Sequence, residues 1–465
     1  MNGLTNNTTT PNPHFILIPL MAQGHMIPMV DMACLLAAGG AVVSFITTPV
    51  NAARIRPFIS RIQTSSLAIR FVELRFPSAE AGLPLGCENL DLLPDSKFNK
   101  PFVEALPLLG NQLELQLGKQ IPIPDCIISD TKHAWAGSIA RKLLILILSS
   151  TDPRRIEMAK AQVERWVDSP TWEKLRDECY AAEEAADGIV INTFEELEPW
   201  CVEMYRKATG KKVWPIGPLS LYNREIESTA IRGNEVPAME AEKLQRWLDE
   251  REKRSVVFIS FGSLARNPIS QLTEIGCGLK AAGARFIWVV KEAEVKSGTE
   301  AEKWMEEFED RSAKDKKGIV IRGWAPQMVV LSHPAVGGFM THCGWNSILE
   351  AICAGVPMAT WPHFADQFLN ERLVVDVLGI GVAVGAVVPV KPADEERKEA
   401  VVGREKVEKA VVRLMDEGQE GEERRRRASE FGEKARNAME EGGSSCQNLK
   451  GVIKYVSDRK NKISG

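Results

Sequence analysis

Short apolar runs recur along the chain, and most are followed by residues spaced for a helix. Residues 15–20 (FILIPL), 42–47, 125–129 (DCIIS), 145–148 and 188–192 (GIVIN) are short and largely apolar. Such runs fit strands buried on both faces of a parallel sheet. After the first come Met21-Ala22-Gln23-Gly24-His25, read as a loop, and then a helix. Pro28 near its first turn, a stripe of Met29, Met32, Leu35 and Leu36, and a stop at Gly39-Gly40 mark that helix. The chain thus opens with a βαβ unit, whose loop after the first strand is a natural ligand site.

The rhythm lapses and then restarts. Residues 77–101 are rich in Pro and Leu and read as a surface loop, and residues 214–218 (WPIGP) read as a break. The stretch 219–240 is polar and patternless, the best linker candidate. Beyond it, apolar runs at 255–261, 285–290, 318–322 and 337–341 alternate with helical patterns at 271–282, 367–377, 406–415, 421–440 and 444–456. This alternation predicts an α/β protein: two doubly wound domains with a cleft between them. The expected division is 14–218, a linker at 219–240, a second domain at 241–441 and a closing helix at 442–458.

Composition narrows the class. A chain of 465 residues is too long for one core, and its 44% hydrophobic and 26% charged content suits a globular protein. A net charge of −4 gives no electrostatic reason to expect nucleic acid. The run 422–427 (EERRRR) reads as a solvated helix face. Nine cysteines without a CxxC pair suggest reduced thiols and a cytoplasmic protein. The first 13 residues are polar, without the apolar core of a secretory signal, and read as a disordered tail. No apolar run is long enough for a membrane span.

Two residues of the first half attract chemistry. His25 follows the first strand and is either a base or a structural, helix-capping histidine. Asp130 ends the 125–129 strand at the same sheet edge. It either orients an imidazole or caps the following helix. The loop after Leu20 lacks GxGxxG, so dinucleotide binding is poorly supported there. His133 and Trp135 read as packing residues.

The stretch from Trp324 to Gln367 is the densest in functional residue types. A strand enters a turn at Gly337-Gly338-Phe339-Met340-Thr341, and His342-Cys343-Gly344-Trp345-Asn346-Ser347 opens a helix. Free N–H groups at that helix start, Gly344 and the Ser347 hydroxyl suit a diphosphate. Glu350, one turn on, suits a ribose diol. Trp324 can stack a flat base, and Asp366-Gln367 can bind sugar hydroxyls. Base, ribose, diphosphate and sugar then have partners in one segment.

That segment closely resembles the sugar-nucleotide box of plant UDP-dependent glycosyltransferases of secondary metabolism. The WAPQ start, HPAVGGFMTHCGWNS, Glu350, GVP and the closing DQ all agree, as does the N-terminal PLMAQGHMIPMVDMA. The resemblance runs from about His14 to Val456. It implies the GT-B fold, two Rossmann-like domains with the acceptor on the first and the donor on the second. The final helix would cross back to the first domain. By the same resemblance His25 is the general base and Asp130 steadies its imidazolium. Trp324 stacks on uracil, the Ala325 backbone pairs its edge, Gln327 lies near the ribose and Glu350 binds it. His342, Asn346, Ser347 and Ser263 hold the diphosphate, while Trp345, Asp366 and Gln367 read the sugar. A terminal Gln in the box leans toward UDP-glucose. The implied reaction is an inverting transfer to a small lipophilic hydroxylated acceptor, a flavonoid, other phenolic or terpenoid. UDP-glucose is a co-substrate; no cofactor or metal is required, and a monomer is expected.

One departure stands out. Between Asp130 and Pro153, members of that family carry a few tens more residues, whereas here residues 146–148 run almost directly into Ser149-Ser150-Thr151-Asp152. A shortened acceptor region around 145–152 leaves a second reading open, a UDP-sugar-binding protein with weak or no transfer. A nicotinamide oxidoreductase, suggested only by the opening βαβ unit, is remote.

Overall fold

The structure, a computed structural model, describes residues 12–119, 121–150, 170–222, 238–390 and 399–464. The expected tail, most of the linker and the far side of the shortened junction therefore lie outside the described residues.

Two parallel sheets carry the fold. The first holds β1 (His14–Ile18), β2 (Val42–Thr47), β3 (Ile69–Glu73), β4 (Cys126–Asp130), β5 (Leu146–Ser150), β6 (Gly188–Ile191) and β7 (Val213–Pro215), ordered 3-2-1-4-5-6-7. The second holds β8 (Val256–Ser260), β9 (Arg285–Val290), β10 (Gly318–Arg322), β11 (Val336–Thr341), β12 (Met358–Thr360) and β13 (Gly381–Ala383), ordered 10-9-8-11-12-13. In both, the order reverses beside the first strand, at β1/β4 and at β8/β11. Doubly wound sheets open a crevice at that point, beyond the carboxyl ends of the strands. This is the two-domain GT-B architecture.

The unbroken apolar runs follow from burial on both faces. In β8, Val256 and Phe258 join one core while Val257 and Ile259 join another on the opposite face. β3, β7 and β13 were not read as strands, and all three lie at sheet edges. β3 is half-exposed, and the other two are three residues long. Residues 214–218 are thus not wholly a break, since Trp214 and Pro215 belong to β7. An edge strand tolerates proline, having one side free of ladder bonds.

Other readings change too. Residues 77–101 are more than a surface loop, for Asn89 and Leu93 are fully buried there. The EERRRR run is only partly solvated. Arg424 and Arg425 are buried, Arg424 donating to the Arg413 carbonyl at 2.8 Å, while Arg426 and Arg427 pair with Glu423 on the outer face. The first helix runs Gln23–Ala38, so His25 lies in its first turn rather than in a preceding loop. Pro28 sits inside it, where a proline leaves one helical carbonyl without its usual partner.

The last helix, Ser444–Ser464, packs on the first sheet. Val452 and Val456 enter that core, Asn448 donates to the Pro215 carbonyl at 2.9 Å, and Lys460 pairs with Asp125 at 2.9 Å.

Candidate functional site

A cavity of about 1660 Å³ lies between the halves, where both switch points face each other. From the first half its wall takes His25, Asp130 and apolar residues including Met29, Met32, Phe102 and Leu106. From the second it takes Ser263 and nearly all of the polar residues singled out between Trp324 and Gln367.

The first-half pair is assembled by topology. β1 delivers His25 and β4, its sheet neighbour, ends at Asp130. His25 Nδ1 lies 2.6 Å from Asp130 Oδ2. The other carboxylate oxygen accepts from the Lys132 amide at 3.0 Å, so Asp130 both shapes the turn and holds the imidazole. Desolvation works to lower the His25 pKa, but the charge and hydrogen bond of Asp130 outweigh it and raise the value. Burial works to raise the Asp130 pKa; His25 opposes it and wins, holding the carboxyl below its usual range. The Asp130 side chain is 7% exposed and the imidazole 45% exposed. Asp130 accepts a hydrogen bond from Nδ1–H of the neutral ring, which leaves Nε2 as the basic atom.

The segment from Trp324 to Gln367 is built at the ends of β10 and β11. Gly323, with φ of +93°, turns the chain out of β10 and presents Trp324, whose buried indole N–H has no protein partner among the described residues. Ala325 is buried behind it. Gln327 Nε2 donates to Glu350 Oε2 at 2.7 Å and to Ser347 Oγ at 3.1 Å. These three side chains thus form one polar wall, where vicinal hydroxyls could exchange bonds.

His342 leaves β11 between two glycines. A Cβ at Gly262 would sit 2.5 Å from its ring, and one at Gly344 would sit 2.4 Å away. Gly262 also has φ of +66°, and it precedes Ser263 in the loop after β8. Burial, and to a lesser degree the Lys291 cation, push the His342 pKa down to about 3. The imidazole is therefore neutral and can offer one N–H, not a positive charge. Its buried Nδ1 has no protein partner among the described residues. The helix Trp345–Ala354 starts at Gly344 without a side-chain cap, so its first amides remain available to an anion.

Trp345 and Asn346 do something the sequence did not signal. The Trp345 indole N–H donates to the Asn192 carbonyl at 2.7 Å, and the Asn346 amide donates to the Gly24 carbonyl. Both cross the cleft to the first half.

At the far end, Gln367 Oε1 accepts from the His363 and Phe364 amides at 2.8 and 3.1 Å. Its oxygen holds the loop, so the amide NH₂ is the part left to meet a ligand. Asn370 was not anticipated. It is fully buried, and its Nδ2 donates both to Asp366 Oδ2 and to the Cys343 carbonyl, each at 2.7 Å. It braces the two ends of the segment together. Its place one helical turn after Asp366 was the available signal. Asn192 was also missed, though it directly follows β6 at the same sheet edge as Asp130. His133 is a packing residue, its Nε2 lying 2.9 Å from the Pro19 carbonyl.

No group of three His, Cys, Asp or Glu that could hold a metal occurs among the described residues. No helix among them is long and apolar enough to cross a membrane.

Residues 234–391 match the family described as UDP-glucoronosyl and UDP-glucosyl transferase. UDP-glycosyltransferase 73E1 of Stevia rebaudiana is 43% identical over 486 aligned positions, 96% of this chain and 97% of that protein. That alignment is longer than the 465-residue chain, so the relative has residues with no counterpart here. UDP-glycosyltransferase 73C5 of Arabidopsis thaliana is 40% identical over 98% of this chain and 99% of its own. Among solved structures, UGT73P12 of Glycyrrhiza uralensis, complexed with glycyrrhetinic acid 3-O-monoglucuronide, is similar with a TM-score of 0.88. It shares 32% identity, and the match covers 97% of each chain. UGT89C1 of Arabidopsis thaliana, complexed with UDP-L-rhamnose, gives 0.77 at 30% identity, covering 96% of this chain and all (100%) of the other. With near-complete coverage, a shared two-sheet architecture and a polar cleft to match, the chain belongs to the plant UDP-glycosyltransferase family, enzymes that move a sugar from a UDP-sugar to a small acceptor.

Proposed function

We propose that this enzyme transfers glucose from UDP-glucose to a hydroxyl of a small lipophilic metabolite, a flavonoid, other phenolic or terpenoid, with inversion. The observation that carries the reading is the His25–Asp130 pair, 2.6 Å apart and opening on the same cavity as the donor segment. His25 Nε2 takes the proton of the acceptor hydroxyl as its oxygen attacks the anomeric carbon. The new C–O bond forms on the face opposite UDP, and the old bond breaks with its electron pair leaving on the diphosphate. Asp130 stabilises the imidazolium that results. The first amides of the Trp345–Ala354 helix, Ser347, Ser263 and the neutral His342 N–H meet the charge growing on UDP. Trp324, Ala325, Gln327 and Glu350 hold the nucleoside, while Asp366 and the Gln367 NH₂ face the sugar. Met29, Met32, Phe102 and Leu106 favour an apolar acceptor. Nine unpaired cysteines suit a reducing cytoplasm.

Incubation with UDP-glucose, UDP-galactose and UDP-glucuronate against a panel of phenolic, flavonoid and terpenoid alcohols tests this. UDP release with a β-glucoside as product is expected. A folded protein that releases UDP with no acceptor in the panel contradicts it. The second reading, a UDP-sugar binder with little transfer, draws on the residues of the Stevia relative that lack counterparts here. Tight UDP binding by calorimetry beside absent turnover is its signature.

A further inference from the structure

We propose that Pro28, Asn192 and Asn346 form a latch across the cleft that holds His25 at transfer distance from the donor sugar. The proposal rests on the reading of His25 as the base and of the second half as the UDP-sugar site.

The latch begins with a bond the first helix cannot make. Pro28 lies inside the helix Gln23–Ala38 and has no N–H to give to the carbonyl four residues earlier. That carbonyl belongs to Gly24, the residue before His25. It accepts instead from the side-chain amide of Asn346, in the first turn of the helix that starts the donor site. Asn346 is held in turn. Its Oδ1 accepts from Asn192 Nδ2 at 3.3 Å, and beside it the Trp345 indole N–H donates to the Asn192 carbonyl at 2.7 Å. Asn192 has little freedom of its own. Its Oδ1 accepts from the Leu219 amide at 3.0 Å, and a Cβ on Gly217 would lie 2.4 Å from that oxygen. Pro28, Asn192 and Asn346 all line the cavity.

A plain strut between domains could be anywhere on the interface. Arg266 of the second half, which donates to the Leu93 carbonyl of the first at 2.7 Å, is a strut of that kind. The latch instead joins the residue before the base to the first turn of the donor helix. It fixes the separation between the group that takes the proton and the anomeric carbon that is attacked, and small misplacements there are expensive in rate.

The test uses the full chain and two substitutions. Pro28→Ala restores the N–H that competes with Asn346 for the Gly24 carbonyl. The helix gains a bond, so the melting temperature should stay level or rise, yet kcat with UDP-glucose should fall about tenfold. Asn192→Ala should lower kcat by a similar factor. In both, the Kd for UDP by calorimetry should stay within about twofold, because Glu350, Gln327 and Trp324 are untouched. The pH midpoint of kcat should not move, because the His25–Asp130 pair is intact. If Asn192→Ala fails to fold, Pro28→Ala carries the test alone. Full kcat in Pro28→Ala overturns the latch, and so does a kcat that falls only in step with UDP affinity or with melting temperature. A wild type that binds UDP and transfers nothing overturns the reading of function and the latch with it. An active wild type matched by its variants overturns the latch alone.

Discussion

The two sides of the cleft are written in the chain in opposite ways. The donor side is nearly continuous: Trp324, Gln327, His342, Ser347, Glu350, Asp366 and Gln367 fall within one segment that offers groups for base, ribose, diphosphate and sugar, and Ser263 joins them from the loop after β8. The base side is composite. His25 and Asp130 are 105 residues apart in sequence and 2.6 Å apart in space, brought together because β1 and β4 are neighbours in the sheet. A continuous site can be read from spacing alone. A composite site becomes visible only when the strand order is known, since either residue by itself has an ordinary structural explanation.

If the two sides divide the labour, they should fail separately. The largest effect is expected from His25→Ala, which removes the proton acceptor. Its kcat should fall on the order of 10² to 10⁴-fold. UDP binding, measured by calorimetry, should remain within about twofold of wild type, because no donor contact is lost. Turnover that survives this substitution would assign the base elsewhere.

Asp130→Asn should act less severely and should leave a signature in pH. The transfer needs neutral His25, so the rate rises with pH through the His25 pKa. Asp130 raises that pKa above the ordinary histidine value, which places the acid limb of the profile at higher pH. With asparagine the raising charge is gone, and the limb should move to lower pH. The plateau should drop about a hundredfold, because the imidazolium loses its stabilising carboxylate. A limb that stays in place would mean that a group other than His25 governs it.

Glu350→Gln turns the comparison around. Glu350 is 6% exposed and accepts from Gln327 at 2.7 Å, so its carboxylate is held ready for hydroxyl donors. A hydrogen bond to a charged group contributes about 1.5–3 kcal/mol. Its loss should raise the KM for UDP-glucose about tenfold with kcat nearly unchanged, which initial-rate kinetics would detect. An equal fall in kcat would break the proposed division between the halves.

What was legible follows the same line. Central strands such as β8 and β11 announce themselves through runs that are apolar on both faces. β3 and β7 do not: at a sheet edge β3 is half-exposed and β7 is only three residues long, although β10, also an edge strand, keeps its apolar run. The polar residues of the donor segment were legible through their density within one stretch of chain. Asn370 was only half legible: its spacing of one helical turn from Asp366 was a signal, but its second acceptor, the Cys343 carbonyl, lies 27 residues away in sequence. The cross-cleft roles of Trp345 and Asn346 could not be seen either. Their partners, Asn192 and Gly24, belong to the other half, and no local pattern specifies how two domains meet.

Backbone strain separates the two sides once more, on a smaller scale. Cys343 and Ala365, both in the donor segment, have φ of +64° and +54°, whereas His25 and Asp130 are not among the positive-φ residues. For a residue with a Cβ this conformation costs roughly 1–2 kcal/mol. Ala365 is exposed, so its methyl group buries little that could offset the cost. Ala365→Gly removes the strain but adds freedom to the unfolded chain, a loss of about 0.4–1 kcal/mol. The balance predicts a stabilisation of about 0.5 kcal/mol, a rise of no more than a degree or so in melting temperature for a protein of this size. If the strained turn serves only to direct Asp366 and Gln367 into the cleft, glycine can hold the same turn and kcat should stay within about twofold, even though Ala365 lines the cavity. A clear loss of sugar selectivity between UDP-glucose and UDP-galactose, with stability gained, would show instead that the alanine methyl confines the turn. Part of the donor side's specificity would then reside in backbone rigidity, which no inspection of its polar residues reveals.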